Sequence, residues 1–263
     1  MMDLGIRGKK AIIAGGSAGM GKESAFALAR EGVELCISAR GEERLFATAQ
    51  EIARATGVRV TPIVADHGTS DGRALLLAAY PAPDILVITC SPPRFLQSYL
   101  DPEPQEWLDA LSTTLLGPVE LMRATVGGMA ARGFGRVVNI GTIAAKRPHE
   151  SRLLSGPPRA ALCNYAAAIS GGLAKSNVAI NNILPGMFDT AAMQQRFESL
   201  SKQNGTTYKE EVDKWIGQVG IPASRLGDAK DVGALCALLC SQYASFIIGQ
   251  SIVVDGGQMA STF

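Results

Sequence analysis

The 263-residue chain is predicted to be an α/β protein, a doubly wound seven-stranded parallel sheet with helices on both faces, in a single domain. Three observations carry this. Short apolar runs alternate with helical patterns along the whole length, which is the signature of βα units joined by right-handed crossovers. The runs mix Val, Ile, Leu and Cys without strict alternation, as strands buried on both faces do. At residues 11–21 (Ala-Ile-Ile-Ala-Gly-Gly-Ser-Ala-Gly-Met-Gly) a strand turns into a helix through a glycine cluster.

That corner has a chemistry of its own. A helix N-terminus offers unpaired N–H groups and partial positive charge, and residues lacking side chains let a diphosphate approach the backbone. Gly15, Gly19 and Gly21, with Ser17 and Met20 between them, form a G-x-x-x-G-x-G variant of the dinucleotide fingerprint after a strand and before a helix. A tight strand-to-helix turn without a ligand is the alternative.

The remaining elements follow in order. A helix over about 20–31 leads to a strand at 33–39, whose end, Ser38-Ala39-Arg40, carries no acid. An acidic residue there would select a free 2′-hydroxyl, whereas an arginine accommodates a 2′-phosphate, so NADP is favoured over NAD. Arg40 as a solvated residue starting the next helix is the other reading. A helix over 42–56 and a strand over 59–65 end in Asp66, suited to accept from an adenine amino group, and His67, expected on the rim. A helix over 70–80, stopped by Pro81, precedes a strand over 84–89. Pro102, Glu103 and Glu106 open a long helix to about 132, followed by a strand at 137–141 and a polar loop at 146–151. An Ala-rich helix over 155–175 and a strand over 178–184 lead to Pro185-Gly186 and Thr190. Residues 189–224 form a helical excursion suited to a substrate lid. Asp228 caps a last helix over 230–241, and residues 251–254 supply the seventh strand.

Composition excludes several classes. With 47% hydrophobic and 19% charged residues and a net charge of +1, neither disorder nor electrostatic nucleic-acid binding is indicated. A small-molecule substrate is expected, with no nucleic-acid or membrane partner. No apolar run approaches the roughly 20 residues that span a bilayer, and no signal pattern opens the chain, so a cytoplasmic location is expected. Cys36, Cys90, Cys163, Cys236 and Cys240 lack metal-ligand or CxxC spacing, and read as buried free thiols with no metal site.

In these blocks the chain resembles the short-chain dehydrogenase/reductase family over essentially its full length. The matching blocks are Gly15/Gly19/Gly21, Asp66, Asp84-Ile-Leu-Val, Gly135-Arg-Val-Val-Asn-Ile, Pro185-Gly186 with Thr190, Arg225-Leu-Gly and Gly249-Gln-Ser-Ile-Val-Val-Asp-Gly-Gly. The resemblance implies a Rossmann-type domain, NAD or NADP at the first loop, and a homotetramer or homodimer. It also implies cofactor contacts from Ser17, Met20, Cys90, Pro185, Gly186 and Thr190.

The catalytic blocks depart from the family. After the fourth strand stands Ile88-Thr89-Cys90-Ser91 in place of Asn-Asn-Ala-Gly, and the long-helix Asn aligns with Thr114. The active-site Ser corresponds to Thr142, and counting on from it the Tyr and Lys positions fall on Ser155 and Arg159. Tyr165 is followed four residues later by Ile169 and leaves only 19 residues before Pro185. It would lie roughly 15 Å along the helix from Ser155 and about 80° around it, so it reads as a packing or interface residue.

Ser155 lacks the acidity of a phenol, whose pKa is about 10, and Arg159 keeps its proton. His149, in the loop after Thr142, is the most available titrating group, or else a solvent-exposed loop histidine. The sequence therefore predicts an NADP(H)-dependent oxidoreductase of a small or medium-sized alcohol or ketone, with Thr142, Ser155, Arg159 and His149 as catalytic candidates and Arg159 also touching the cofactor. The alternative is a non-redox or catalytically impaired protein on the same scaffold: a cofactor-binding regulator, a partner subunit, or a lyase or isomerase.

Overall fold

The computed structural model describes residues 3–260. Seven strands run in the order β3-β2-β1-β4-β5-β6-β7, every neighbouring pair parallel. They are β1 (Lys10–Ala14), β2 (Glu34–Ala39), β3 (Val60–Val64), β4 (Ile85–Ile88), β5 (Gly135–Ile140), β6 (Val178–Pro185) and β7 (Ser251–Val254). The order reverses between β1 and β4, where Ala11 is in register with Ile85 and Ala14 with Ile88. A crevice opens beyond the carboxyl ends of the strands at such a reversal.

Two apolar layers clamp the sheet. Ala11 and Ile13 of β1 face a layer made with α1 (Gly19–Arg30), α2 (Glu42–Thr56) and α9 (Ala229–Cys240). Ile12 and Ala14 face the opposite layer, made with α3 (Ser70–Ala79), α5 (Gly117–Ala131) and α6 (Gly156–Ala174). Because successive strand residues point to opposite faces and both faces are covered, the strand positions are apolar without alternation. The cap expected at Asp228 is present, its Oδ1 accepting from the Lys230 N–H at 2.9 Å.

The structure departs from the sequence reading in three places. Cys36, Cys236 and Cys240 are buried thiols, but Cys90 and Cys163 are only half-buried, Cys90 because it opens onto a small cleft beyond β4. The long helix is not continuous: α4 (Pro104–Leu111), opened by a Glu103/Glu106 capping box, passes through a π-helical turn at Ser112–Leu116 before α5 begins. Thr114 lies in that turn, its Oγ1 donating to the Ala110 carbonyl at 2.6 Å. His67 is not on the rim but buried, with its Nε2–H donating to the Thr113 carbonyl at 3.1 Å. The π-helical turn supplies the acceptor, and Gly117 at the start of α5 packs against the ring, contacts made by segments some 46–50 positions away. The excursion after β6 forms α7 (Ala191–Asn204) and α8 (Tyr208–Val219). No helix among the described residues is long and apolar enough to cross a membrane, and no group of three or more His, Cys, Asp or Glu side chains among them could hold a metal ion.

Candidate active site

The glycine corner is shaped by contacts that forbid a side chain. A Cβ on Gly21 would lie 2.2 Å from the Gly15 carbonyl oxygen, and one on Gly15, at φ +89°, would lie 2.2 Å from the Thr89 carbonyl oxygen. Gly15 and Gly16 both donate to the Ser38 carbonyl, which pins the corner to the end of β2. Thr48 of α2 donates to the Ser17 carbonyl at 3.0 Å, and Met20 packs against the core.

The start of α1 is left chemically open. Its N-cap is Ala18, with no side-chain acceptor and no acid in the first turn, whereas α3, α7, α8 and α9 are each capped by Thr or Asp. Uncapped N–H groups beside glycines fit a phosphate, whose oxygens complete the first turn. Arg40 stands at the end of β2, largely exposed, with Nη1 3.9 Å from Asp66 Oδ2. Asp66 Oδ1 accepts from the Gly68 N–H at 2.8 Å, so the carboxylate is held in place. The guanidinium thus stands on the side of the corner where the adenosine half of a dinucleotide would lie. The residues present fit a phosphorylated dinucleotide.

At the other end of the crevice the structure joins three of the expected residues. Arg159 Nη1 donates to Ser155 Oγ at 2.7 Å, and its Nη2 donates to Cys90 Sγ at 3.1 Å. Both Ser155 and Arg159 are buried, at 3% and 4% exposure, and no carboxylate lies within 4.0 Å of the guanidinium among the described residues. Ser155 is the residue on which α6 starts, followed by Gly156-Pro157-Pro158, so the helix entrance sets the turn that brings Arg159 back over Ser155. Arg159, Cys90 and Thr114 line one small cleft with Ile88, Thr89 and Gly141. Thr142 is half-buried, with Oγ1 accepting from the Ala144 N–H at 3.3 Å.

Other candidates stand apart from this trio. His149 is exposed, and its Nδ1 accepts from the Ser151 N–H at 3.2 Å, capping the turn over residues 150–152. Nδ1 being an acceptor, the neutral ring carries its proton on Nε2. Tyr165, on α6, packs half-buried against the apolar layer between that helix and the sheet. Beyond β6, Gly186 lies where a Cβ would meet Asp255 at 2.6 Å, and Thr190 Oγ1 caps α7 through the Met193 N–H.

One group at the mouth is not visible in the sequence. The Arg152 guanidinium carbon lies 3.6 Å from the centre of the Phe95 ring, and that of Arg196 lies 5.0 Å from the same ring and 4.3 Å from the ring of Trp215. These residues come from the loops after β4 and β5 and from α7 and α8, separated by up to 120 positions, so no periodicity or spacing connects them.

A sequence-family model described as Enoyl-(Acyl carrier protein) reductase matches residues 14–259. The chain belongs to this short-chain dehydrogenase/reductase family. The 2-keto-3-deoxy-L-fuconate dehydrogenase of Xanthomonas campestris is 27% identical over 96% of this chain and 80% of that relative. The NADPH-dependent reductase BacG of Bacillus subtilis is 27% identical over 96% of this chain and 98% of that relative. The crystal structure of L-sorbose reductase from Gluconobacter frateurii, complexed with NADPH and L-sorbose, superposes with a TM-score of 0.93 at 27% identity, covering 99% of this chain and all of that one.

Proposed function

We propose that the chain is an NADP(H)-dependent oxidoreductase of a small or medium-sized alcohol or ketone whose reaction centre is built on Thr142, Ser155 and Arg159. The single observation that carries the reading is the Arg159 guanidinium, buried without a carboxylate and held by Ser155 and Cys90 where the strands of the crevice end. A fixed buried cation without a counter-charge is costly to a fold and is retained where negative charge has to be met.

Each residue takes a task its chemistry allows. Arg40 meets the 2′-phosphate, with Asp66 beside it, and the open N-terminus of α1 meets the diphosphate. A nicotinamide cofactor held there would supply the hydride chemistry. Arg159 would hold the cofactor's ribose hydroxyls and would place positive charge beside the substrate carbonyl oxygen, where negative charge develops. Ser155, whose Oγ accepts from Arg159, positions the guanidinium. Thr142 offers a hydroxyl to the same carbonyl oxygen. An arginine is not a proton donor at working pH, so the alkoxide would take its proton from solvent at the mouth of the crevice, beneath the lid formed by α7 and α8.

The reading is tested by titrating the purified protein with NADPH and NADH and then following NADPH absorbance across a panel of ketones. Tight NADPH binding with turnover of one ketone class supports it. Tight binding without turnover of any carbonyl or alcohol assigns the chain to the non-redox alternative, and no binding of either nucleotide overturns both.

A further inference from the structure

The segments that roof the crevice bring two arginines near a third on its floor. Arg152 sits three residues before Ser155, Arg196 projects from α7, and Arg159 lies on the crevice floor. Among the described residues, neither Arg152 nor Arg196 has a carboxylate within 4.0 Å. Among those residues Glu198, on α7 itself, has no guanidinium within 4.0 Å, and four other acids of the surrounding segments are held elsewhere. Glu150 accepts from the Tyr99 N–H, Asp101 from Gln97 and Ser98, Glu106 from Arg94, and Asp189 from the Tyr208 hydroxyl.

The aromatic rings do the gathering. A guanidinium flat on a ring gains a cation–π contact and keeps its N–H edge directed outward, in the fork that matches two oxygens of an anion. Phe95 serves Arg152 and Arg196 at once, and Trp215 gives Arg196 a second ring. The Trp215 indole N–H is buried and has no acceptor, so this corner holds more donors than the protein itself satisfies. Burial and the charges of Arg159 and Arg196 bring Arg152 down to about 10, which still leaves it protonated at neutral pH. The mutual repulsion of the guanidinium groups works against what the rings contribute to stability.

We infer that Arg152 and Arg196, held on Phe95 and Trp215, form a subsite for an anionic group of the substrate, so that the molecule reacting beside Arg159 is an acid or a phosphate ester bearing a carbonyl or hydroxyl, not a neutral ketone. The inference rests on the reading of Thr142, Ser155 and Arg159 as the reaction centre. Carboxylate and phosphate present the same paired oxygens, and the fork accepts either. The charge is supplied by the loop after β5 and by α7, so an anionic substrate would also draw the lid toward the crevice.

The test is calorimetric titration of the full chain, with and without NADPH, using oxalate, inorganic phosphate and, as a neutral control, glycerol. At least one anion is expected to bind, about tenfold or more weaker in Arg152→Gln and in Arg196→Gln, and weaker as sodium chloride is raised, with glycerol silent. Arg152→Lys is expected to recover part of the loss. NADPH affinity, read in the same samples, reports whether each variant is folded and whether the cofactor reading holds. Anion binding equal in wild type and both variants, or its absence from wild type in both conditions, overturns the subsite. Failure of NADPH alone to bind overturns the oxidoreductase reading and leaves the anion result to stand. A second arm compares 2-oxocarboxylates with their methyl esters as substrates. The acids are expected to be favoured at least tenfold in kcat/KM, a preference lost in Arg152→Gln, and equal turnover of acid and ester overturns the inference.

Discussion

Arg159 Nη1 lies 2.7 Å from Ser155 Oγ, one helical turn back along the chain. The pair occupies the start of α6, and the backbone there is set by Pro157 and Pro158, so the guanidinium is aimed by the helix entrance and not by a partner acid. Removing the charge should therefore disturb what it is aimed at. We expect Arg159→Ala to weaken NADPH binding about ten- to a hundredfold, the loss of a hydrogen bond to a charged group of roughly 1.5–3 kcal/mol. Tyr165→Phe, in the packed layer away from the pair, should leave NADPH affinity and turnover within about twofold. Fluorescence titration and steady-state rates check both.

Cofactor choice is a second outcome. Arg40 is poised at the end of β2 opposite Asp66, and no acid stands at Ala39. Arg40→Ala should weaken NADPH about ten- to a hundredfold and leave NADH unchanged. Equal affinities of the wild-type protein for the two nucleotides would remove the role given to Arg40.

Charge crowding at the mouth has a stability signature. Burial and the neighbouring Arg159 and Arg196 act against the Arg152 cation, and Met fills a similar volume over Phe95 without charge. We expect Arg152→Met to raise Tm by about 2–4 °C, the shift that about 1 kcal/mol gives in a chain of this size, while lowering activity. A lower Tm by calorimetry would mean that the stacking contact outweighs the repulsion.

Acid sensitivity should trace to His67. Burial pushes its pKa below the ordinary 6.5, against the raising effects of the Thr113 carbonyl and Asp66. The unfolded chain then binds the proton more readily than the folded one. The stability contributed by neutral His67 is complete above about pH 6.5 and is lost as pH falls through the depressed folded value. A plot of Tm against pH should fall below pH 6.5 in the wild type, and His67→Gln should flatten that fall.

Assembly is the fifth outcome. Leu108 and Leu116, eight positions apart along α4 and the π-helical turn, are exposed at 56% and 53%, and Phe246 after α9 is exposed at 98%. We expect a homotetramer or homodimer by light scattering at micromolar concentration, and a smaller species for the double variant Leu108→Glu, Leu116→Glu, because burying carboxylates at an interface is unfavourable. A wild-type monomer would contradict this.

The sequence by itself determined the sheet, its doubly wound order, the cap at Asp228 and the glycine corner. These rest on local rules: apolar runs with no alternation, a side chain capping its own helix, and glycines where a Cβ would strike the Gly15 or Thr89 carbonyl. Neighbouring residues in the chain carry each of those signals. Only the tertiary structure decided that His67 is buried under a π-helical turn, that Ser155, Arg159 and Cys90 meet, and that Phe95 collects Arg152 and Arg196 at the mouth. Strand order brings four distant segments to one end of the sheet, and cation–π and long-range charge interactions have no period along a chain. A lone arginine in a polar loop looks the same in sequence whether it points into water or toward another arginine, and the difference is made by the packing of the elements around it.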